Sequence, residues 1–320
     1  MKVSIIGTGH IAHSMARTIQ AVDEAEFYAV ASRTTEAARE FAKEFDIPVA
    51  YGSYDELIND PEIELVYIAT IHPLHYELSK KLLEKGKSVL CEKPICLNRA
   101  QAEDLFKTAK ENNAFICEAV WTRFMPWVKE TCEILNSGAI GKPVYLDANF
   151  GSKKTGSVWI HKSELGGGAL LDLGIYNITA AILLLGKDFE ISATEGFLSP
   201  AGVDDHSFTT LKYKNGVRAN LMSCTDMVVD SKITLYCENG YIDITGNSSW
   251  KNIKIFGEKE LIKEITPDSK TGYMYELEAC IKAIEDGKRE CEEITHDESL
   301  FVMGVMDEMR SRWGMKYPNE

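Results

Sequence analysis

The chain has no CxxC pair, no long block of like charge and no basic-plus-apolar leader at its start, and each lack excludes a class of protein. Its eight cysteines, at 91, 96, 117, 132, 224, 237, 280 and 291, lie mostly inside apolar runs. They read as reduced core thiols, not as a bridge framework or a zinc site, so no metal is expected and a reducing cytoplasm suits the chain. The 35 basic and 49 acidic residues leave a net charge of −14 with no basic patch, which argues against nucleic acid or an anionic membrane as partner. No apolar stretch is expected to reach the roughly eighteen residues that a membrane span needs. What is present is length: 320 residues, 45% hydrophobic, exceed one comfortable core and suggest two domains, 1–120 and 121–320.

The first domain reads as alternating strands and helices. Strands are expected at 2–6, 26–31, near 49, at 65–69, 88–92 and 114–118, with helices at 13–20, 35–45, 53–59, 74–85 and 98–111. That alternation means a doubly wound parallel sheet. Between the first strand and helix stands Gly7-Thr8-Gly9-His10-Ile11-Ala12, a GxGxxA turn. Its glycines permit a tight turn and close approach to a pyrophosphate, and the helix N-terminus supplies amide donors. Alone the pattern is weak; inside a βαβ unit of the right length it points to a dinucleotide, with a ligand-free glycine turn as the alternative. The second strand ends in Ser32-Arg33, where an NAD enzyme places a carboxylate for the ribose 2′-hydroxyl. A hydroxyl and a planar cation there favour NADP over NAD, unless Arg33 only stacks on the adenine or is solvated.

Two more strand ends carry chemistry. Ser88 to Pro94 is a buried strand closing in Glu92, Lys93 and Pro94, so carboxylate and ammonium stand where ligands bind in an open α/β sheet, and the peptide after Lys93 is a candidate cis bond. A Glu-Lys pair capping a surface strand is the bland alternative. Thr70, His72 and His75 follow the fourth strand and are expected beside the nicotinamide; a loop histidine is otherwise usually solvated.

The second half changes to consecutive strands, at 143–150, 189–198, 206–213, 217–224, 232–238, 240–245 and 252–256, hence a large, mostly antiparallel sheet in an α+β domain. Val217, Ala219 and Leu221 alternate with Arg218, Asn220 and Met222, leaving a face for subunit contact and a dimer or tetramer. Helices are expected at 121–136, 168–185, 273–286 and 297–313. On the second, which opens with Gly166-Gly167-Gly168, Asp172 and Tyr176 are four residues apart and share a face. A carboxylate and a phenol there could bind a polyol and take a hydroxyl proton, as against a capping Asp and a core Tyr. Trp121, Arg123, Phe124 and Trp159 offer flat apolar faces and a cation to a sugar or diol, or simply pack a seam; a buried Arg123 needs an acceptor, with Glu118, Asp172 or the ligand as candidates.

Together these segments resemble the glucose-fructose oxidoreductase, inositol dehydrogenase and MocA family: GTGHIA at 7–12, ASR at 31–33, YIATIHPLH at 67–75, CEKP at 91–94, EAVWTRFMP at 118–126, GGGALLDLGIY at 166–176, GYMYELEACIKAI at 272–284 and MDEMRSRWG at 306–314. Within it the chain looks most like the dimeric dihydrodiol dehydrogenase and NADP-linked D-xylose 1-dehydrogenase branch. The resemblance implies NAD(P)-dependent oxidoreduction of a sugar, cyclic polyol or vicinal diol, with Lys93 as the EKP lysine and Tyr176 as acid/base. Many relatives carry histidine at that place, and Trp159 to Ser163 departs from the arginine-containing segment of this branch. The family also holds regulators and redox-neutral, NAD-dependent glycosidases.

Overall fold

The computed structural model describes residues 1–154, 156–268, 270–318 and 320. Its backbone falls into two compact units, Met1–Phe124 with Thr271–Met303, and Met125–Lys270 with Gly304–Glu320. This differs from the single cut at 120. Residues 271–303 return to the first unit because their apolar side chains, Leu277, Cys280, Ile281 and Ile294 among them, are buried there.

The first unit carries a six-stranded parallel sheet of β1 (Lys2–Ile6), β2 (Glu26–Ala31), β3 (Val49–Tyr51), β4 (Leu65–Ile68), β5 (Ser88–Glu92) and β6 (Ile116–Ala119), in the order β3-β2-β1-β4-β5-β6. The order reverses at β1, the switch point beside which doubly wound sheets bind ligands. Val3, Ile5, Ile6, Leu65, Val66, Tyr67 and Ile68 have no exposed surface, as strands covered on both faces require. The connecting helices are α1 (His10–Ala21), α2 (Thr35–Glu44), α3 (Tyr54–Asn59), α4 (His72–Glu84) and α5 (Arg99–Glu111). Thr34, Ser53 and Asn98 cap three of them, each side-chain oxygen accepting an amide N–H of the first turn. Helix α1 begins three residues earlier than expected, at His10, so the glycine turn is shorter and Ile11 and Ala12 are already helical.

In the second unit α6 (Pro126–Asn136) follows a short 3₁₀ turn, Trp121–Phe124, instead of one continuous helix, since Pro126 lacks the N–H that continuation needs. An eight-stranded sheet follows: β7 (Pro143–Gly151), β8 (Phe189–Leu198), β9 (Asp204–Tyr213), β10 (Arg218–Cys224), β11 (Lys232–Cys237), β12 (Gly240–Thr245), β13 (Asn252–Gly257) and β14 (Leu261–Ile265), in the order β14-β13-β12-β11-β7-β10-β9-β8. Only β7 and β10 pair parallel. Strand β14 escapes the sequence pattern because four of its five residues are exposed. On β10, Ala219 and Leu221 are buried while Asn220 faces out, as the alternation required.

Helix α7 (Ile175–Leu185) packs on β7 and β10. With the turns before it, residues 163–185 are long and apolar enough to cross a membrane, contrary to expectation, yet 83% of that apolar window is buried: this is a core helix. The last helices are α8 (Gly272–Glu285) and α9 (His296–Trp313).

Candidate active site

The nucleotide half begins at Gly7, whose φ is 111° and whose N–H donates to the Ala31 carbonyl at 2.9 Å. A Cβ there would stand 2.3 Å from the Ala69 carbonyl oxygen, so only glycine fits between the ends of β1 and β4. Gly9 caps α1 for the opposite reason: a Cβ would meet nothing within 4 Å, and the cap makes no side-chain hydrogen bond to the helix amides. His10 is exposed and Ile11 half-buried beside this opening. Thr8 and Ser32 bring their hydroxyl oxygens to 3.4 Å, with Ser32 buried and Arg33 exposed next to it. Among the described residues no ion pair engages Arg33.

At the end of β5, Lys93 is half-buried and its bond to Pro94 is cis. The chain after it is clamped from three sides. Glu118, on β6, accepts the Ile95 N–H at 2.9 Å and the Ser299 hydroxyl at 2.6 Å; a ring nitrogen of His75 meets the Pro94 carbonyl at 2.8 Å; Gln101 accepts the Leu97 N–H at 3.0 Å. Burial raises the Glu118 carboxyl and lowers His75, while the Pro94 and Thr70 carbonyls facing that ring oppose the lowering. His75 touches the Thr70 carbonyl at 3.2 Å with its other nitrogen, so its ring is spent on backbone; His72, 5.6 Å away ring to ring, is buried too. Glu92 is buried and accepts the Tyr67 hydroxyl and, at 3.2 Å, the Lys93 N–H. A buried carboxylate at the lysine's own backbone is more than the surface pair considered above.

Trp121 stacks on Tyr273 with ring centroids 4.7 Å apart, and Phe124 is buried, so both pack within the first unit. Arg123 finds acceptors other than the three expected: its guanidinium pairs with Glu298 at 3.1 Å, and its Nε donates to the Glu293 carbonyl at 2.8 Å.

In the second unit the glycine run opens toward the protein's own atoms. A Cβ at Gly167 would lie 2.3 Å from the Ile160 carbonyl, and one at Gly168 would lie 2.3 Å from the Asp204 carboxylate. The run therefore seats the half-buried Trp159 turn and frames the start of the helix. That start is a widened π turn, Leu170–Gly174, where an α-helix was expected. Such turns recur at functional sites. Asp172 and Tyr176 nevertheless stand against one segment: Tyr176, buried, meets Phe150 edge-on with centroids 5.7 Å apart, and Asp172 faces Lys154 at 3.5 Å, four residues further along. Lys154 escapes sequence reading, and Glu118 reads there only as an acceptor for Arg123, because each meets its partner only across the fold.

Asp204 accepts the Leu170 N–H at 2.8 Å and so holds the π turn; burial pushes its carboxyl up to about 7. Between about pH 4 and about pH 7 the folded chain keeps a proton that the unfolded chain has lost, so this group's contribution to stability declines as pH rises, by roughly 4 kcal/mol. Asp204→Asn retains an acceptor for Leu170. Its stability relative to the unaltered protein should therefore be greater at about pH 8 than at about pH 5, read from urea midpoints.

A parallel sheet that switches at β1, with a glycine turn opening the helix beside it, is the architecture of a dinucleotide-binding domain. Residues 1–119 match the Gfo/Idh/MocA oxidoreductase family with its NAD-binding Rossmann fold, and residues 128–243 match that family's C-terminal domain. The chain is 34% identical over 309 residues to trans-1,2-dihydrobenzene-1,2-diol dehydrogenase of Xenopus tropicalis, covering 94% of this chain and 93% of that protein. It is 30% identical to the human protein of that name, covering 100% and 99%. A 3-ketoreductase from Actinomadura kijaniata, solved with NADP and TDP-benzene, superposes with a TM-score of 0.89 at 25% identity over 97% of each chain. The aldose-aldose oxidoreductase of Caulobacter crescentus shares the fold, at a TM-score of 0.87 and 22% identity over 97% of this chain and 96% of that one. The chain belongs to the Gfo/Idh/MocA family and is an NAD(P)-dependent oxidoreductase.

Proposed function

We propose that this enzyme transfers hydride between NADP(H) and the carbinol carbon of a sugar, cyclic polyol or vicinal diol. The observation that carries the reading is Lys93, at the carboxyl end of β5, with the backbone that follows it clamped at Pro94, Ile95 and Leu97 by His75, Glu118 and Gln101. Relatives that act on a dihydrodiol, and a structural neighbour that is a 3-ketoreductase, support the substrate class. Gly7, Thr8, Gly9, His10 and Ile11 would receive the pyrophosphate at the open N-terminus of α1, and Ser32 and Arg33 the 2′-phosphate. Thr70, His72, Glu92 and Lys93 would border the nicotinamide, with His75 a positioning residue behind them. The nicotinamide, when bound, supplies the hydride acceptor or donor.

The remaining steps belong to side chains. Tyr176 takes the hydroxyl proton during oxidation and returns it during reduction, with Lys93 as the other member of the proton relay. Asp172, beside Lys154, orients a second hydroxyl. Trp159 offers its ring to the C–H face of the substrate, while Trp121 is spent on Tyr273, Arg123 on Glu298 and Phe124 on packing, so these three act as support. A second copy of the chain is the proposed partner of the eight-stranded sheet's open face, where Phe208 and Tyr236 are each about half exposed. The expected compartment is the cytoplasm.

A panel of aldoses, cyclic polyols, trans-diols and 2-hydroxy acids, assayed with NADP+ and NAD+, tests this reading: the first three classes should turn over and hydroxy acids should not. Tight cofactor binding without turnover would instead favour a regulatory sensor, and turnover of glycosides without net reduction a redox-neutral glycosidase. The phosphate role is tested by Arg33→Ala. It should weaken NADP+ by about 1.5–3 kcal/mol, the worth of a charge-assisted hydrogen bond, and NAD+ far less; equal losses would remove that role.

A further inference from the structure

Three cysteine sulfurs to which the proposed reaction gives no part meet in the first unit. Cys117 lies on β6, Cys280 on α8 and Cys291 on the loop between α8 and α9; all are buried, and their Sγ atoms lie within 4.8 Å of one another. The loop reaches the sheet by docking on the open edge of β6. There the Ile116 N–H donates to the Arg289 carbonyl at 3.1 Å, and the His296 ring meets the Ile116 carbonyl at 2.9 Å. Docking brings Cys291 Sγ to 3.7 Å from Cys280 Sγ. No CxxC spacing announces the cluster, because its members come from three separate elements.

One helical turn before Cys280 stands Glu276, fully buried, with neither carboxylate oxygen hydrogen-bonded among the described residues. Its charge is felt by Glu92, Cys291 and Cys117, and burial with these neighbours raises its pKa. An ionised carboxylate left so is costly; a bound cation would offset that cost. The spacing suits one. Zinc–sulfur bonds of about 2.3 Å place the sulfurs of a tetrahedral site about 3.8 Å apart, so the Cys280–Cys291 edge already fits and the others need to close by no more than about 1 Å.

We propose that Cys117, Cys280 and Cys291 bind one thiophilic divalent cation of the zinc class, with the buried carboxylate of Glu276, one helical turn from Cys280, as its countercharge. The cation would pin α8 and its following loop to the edge strand, a structural role separate from hydride transfer. Hydrogen bonds from the Cys117 and Cys280 thiols favour the thiolate at Cys291, whereas burial keeps Cys280 protonated. Binding must therefore release protons and weaken as pH falls.

The test is a Co2+ titration of the full chain, reduced and stripped of metal. Thiolate-to-cobalt charge-transfer bands and the visible bands of tetrahedral Co2+ should saturate at one equivalent per chain, vanish on adding Zn2+, and be accompanied by a rise in Tm when Zn2+ alone is added. Cys280→Ser and Cys291→Ser should each abolish the bands, and Cys132→Ser, outside the cluster, should keep them. Glu276→Gln should retain the thiolate bands with at least tenfold weaker affinity. Absence of saturable bands in the unaltered protein overturns the proposal without recourse to any variant, as do bands that survive both serine substitutions. Six rather than eight free thiols in the denatured protein, purified without reductant, would mean a disulfide and overturn it too.

Discussion

Tyr176→Phe should lower kcat by about two to four orders of magnitude while leaving the affinity for NADP+ nearly unchanged, the signature of a group that acts on the proton in the transition state. The substitution removes one oxygen and little else. The ring is buried and held edge-on by Phe150, and the helix behind it is tied down independently, by Asn177 donating to the Met222 carbonyl at 2.8 Å and by Asn247 donating to Asn177 at 2.8 Å. A fall in turnover would thus report chemistry and not collapse of the helix, and an unchanged Tm would confirm it. Near-normal turnover would make Tyr176 a core residue and transfer the base to Lys93 or His72.

Lys93→Met should give a loss of similar size, about two to four orders of magnitude in kcat. Methionine preserves the apolar stem and length, and the clamp on residues 94–97 uses Glu118, His75 and Gln101 and not the ammonium, so the loop should keep its path. Lys93→Arg should recover only part of the rate, because a planar fork does not reproduce a point charge. Full activity in Lys93→Met would reduce the clamp to a structural device.

Local patterns made much of this molecule legible. The βα alternation, the glycine turn, Ser32-Arg33 and the strand ending in Glu92-Lys93 are short-range signals, and each lies where periodicity placed it. What stayed hidden depends on partners distant in sequence. Glu118 clamps Ile95 and Ser299, Arg123 pairs with Glu298, Asp172 faces Lys154, and nothing local to any of these residues encodes the other. Residues 271–303 read as a plain helical tail, yet they complete the first unit. The glycines at 166–168 were legible as a close approach; that Gly167 approaches the Ile160 carbonyl and Gly168 the Asp204 carboxylate is a tertiary fact. The π turn escaped because its residues have ordinary helical periodicity and differ only in hydrogen-bond register.

The most direct test of hydride exchange with a carbinol carbon is isotope transfer. A substrate found in the panel, deuterated at the carbinol carbon, is incubated with NADP+ and the nicotinamide is examined by NMR. Stoichiometric appearance of deuterium at the reduced ring, on one face only, together with the oxidised product, is the predicted result. Product formed without deuterium in the cofactor, or deuterium returned to a cleaved glycoside with no net reduction, would contradict it.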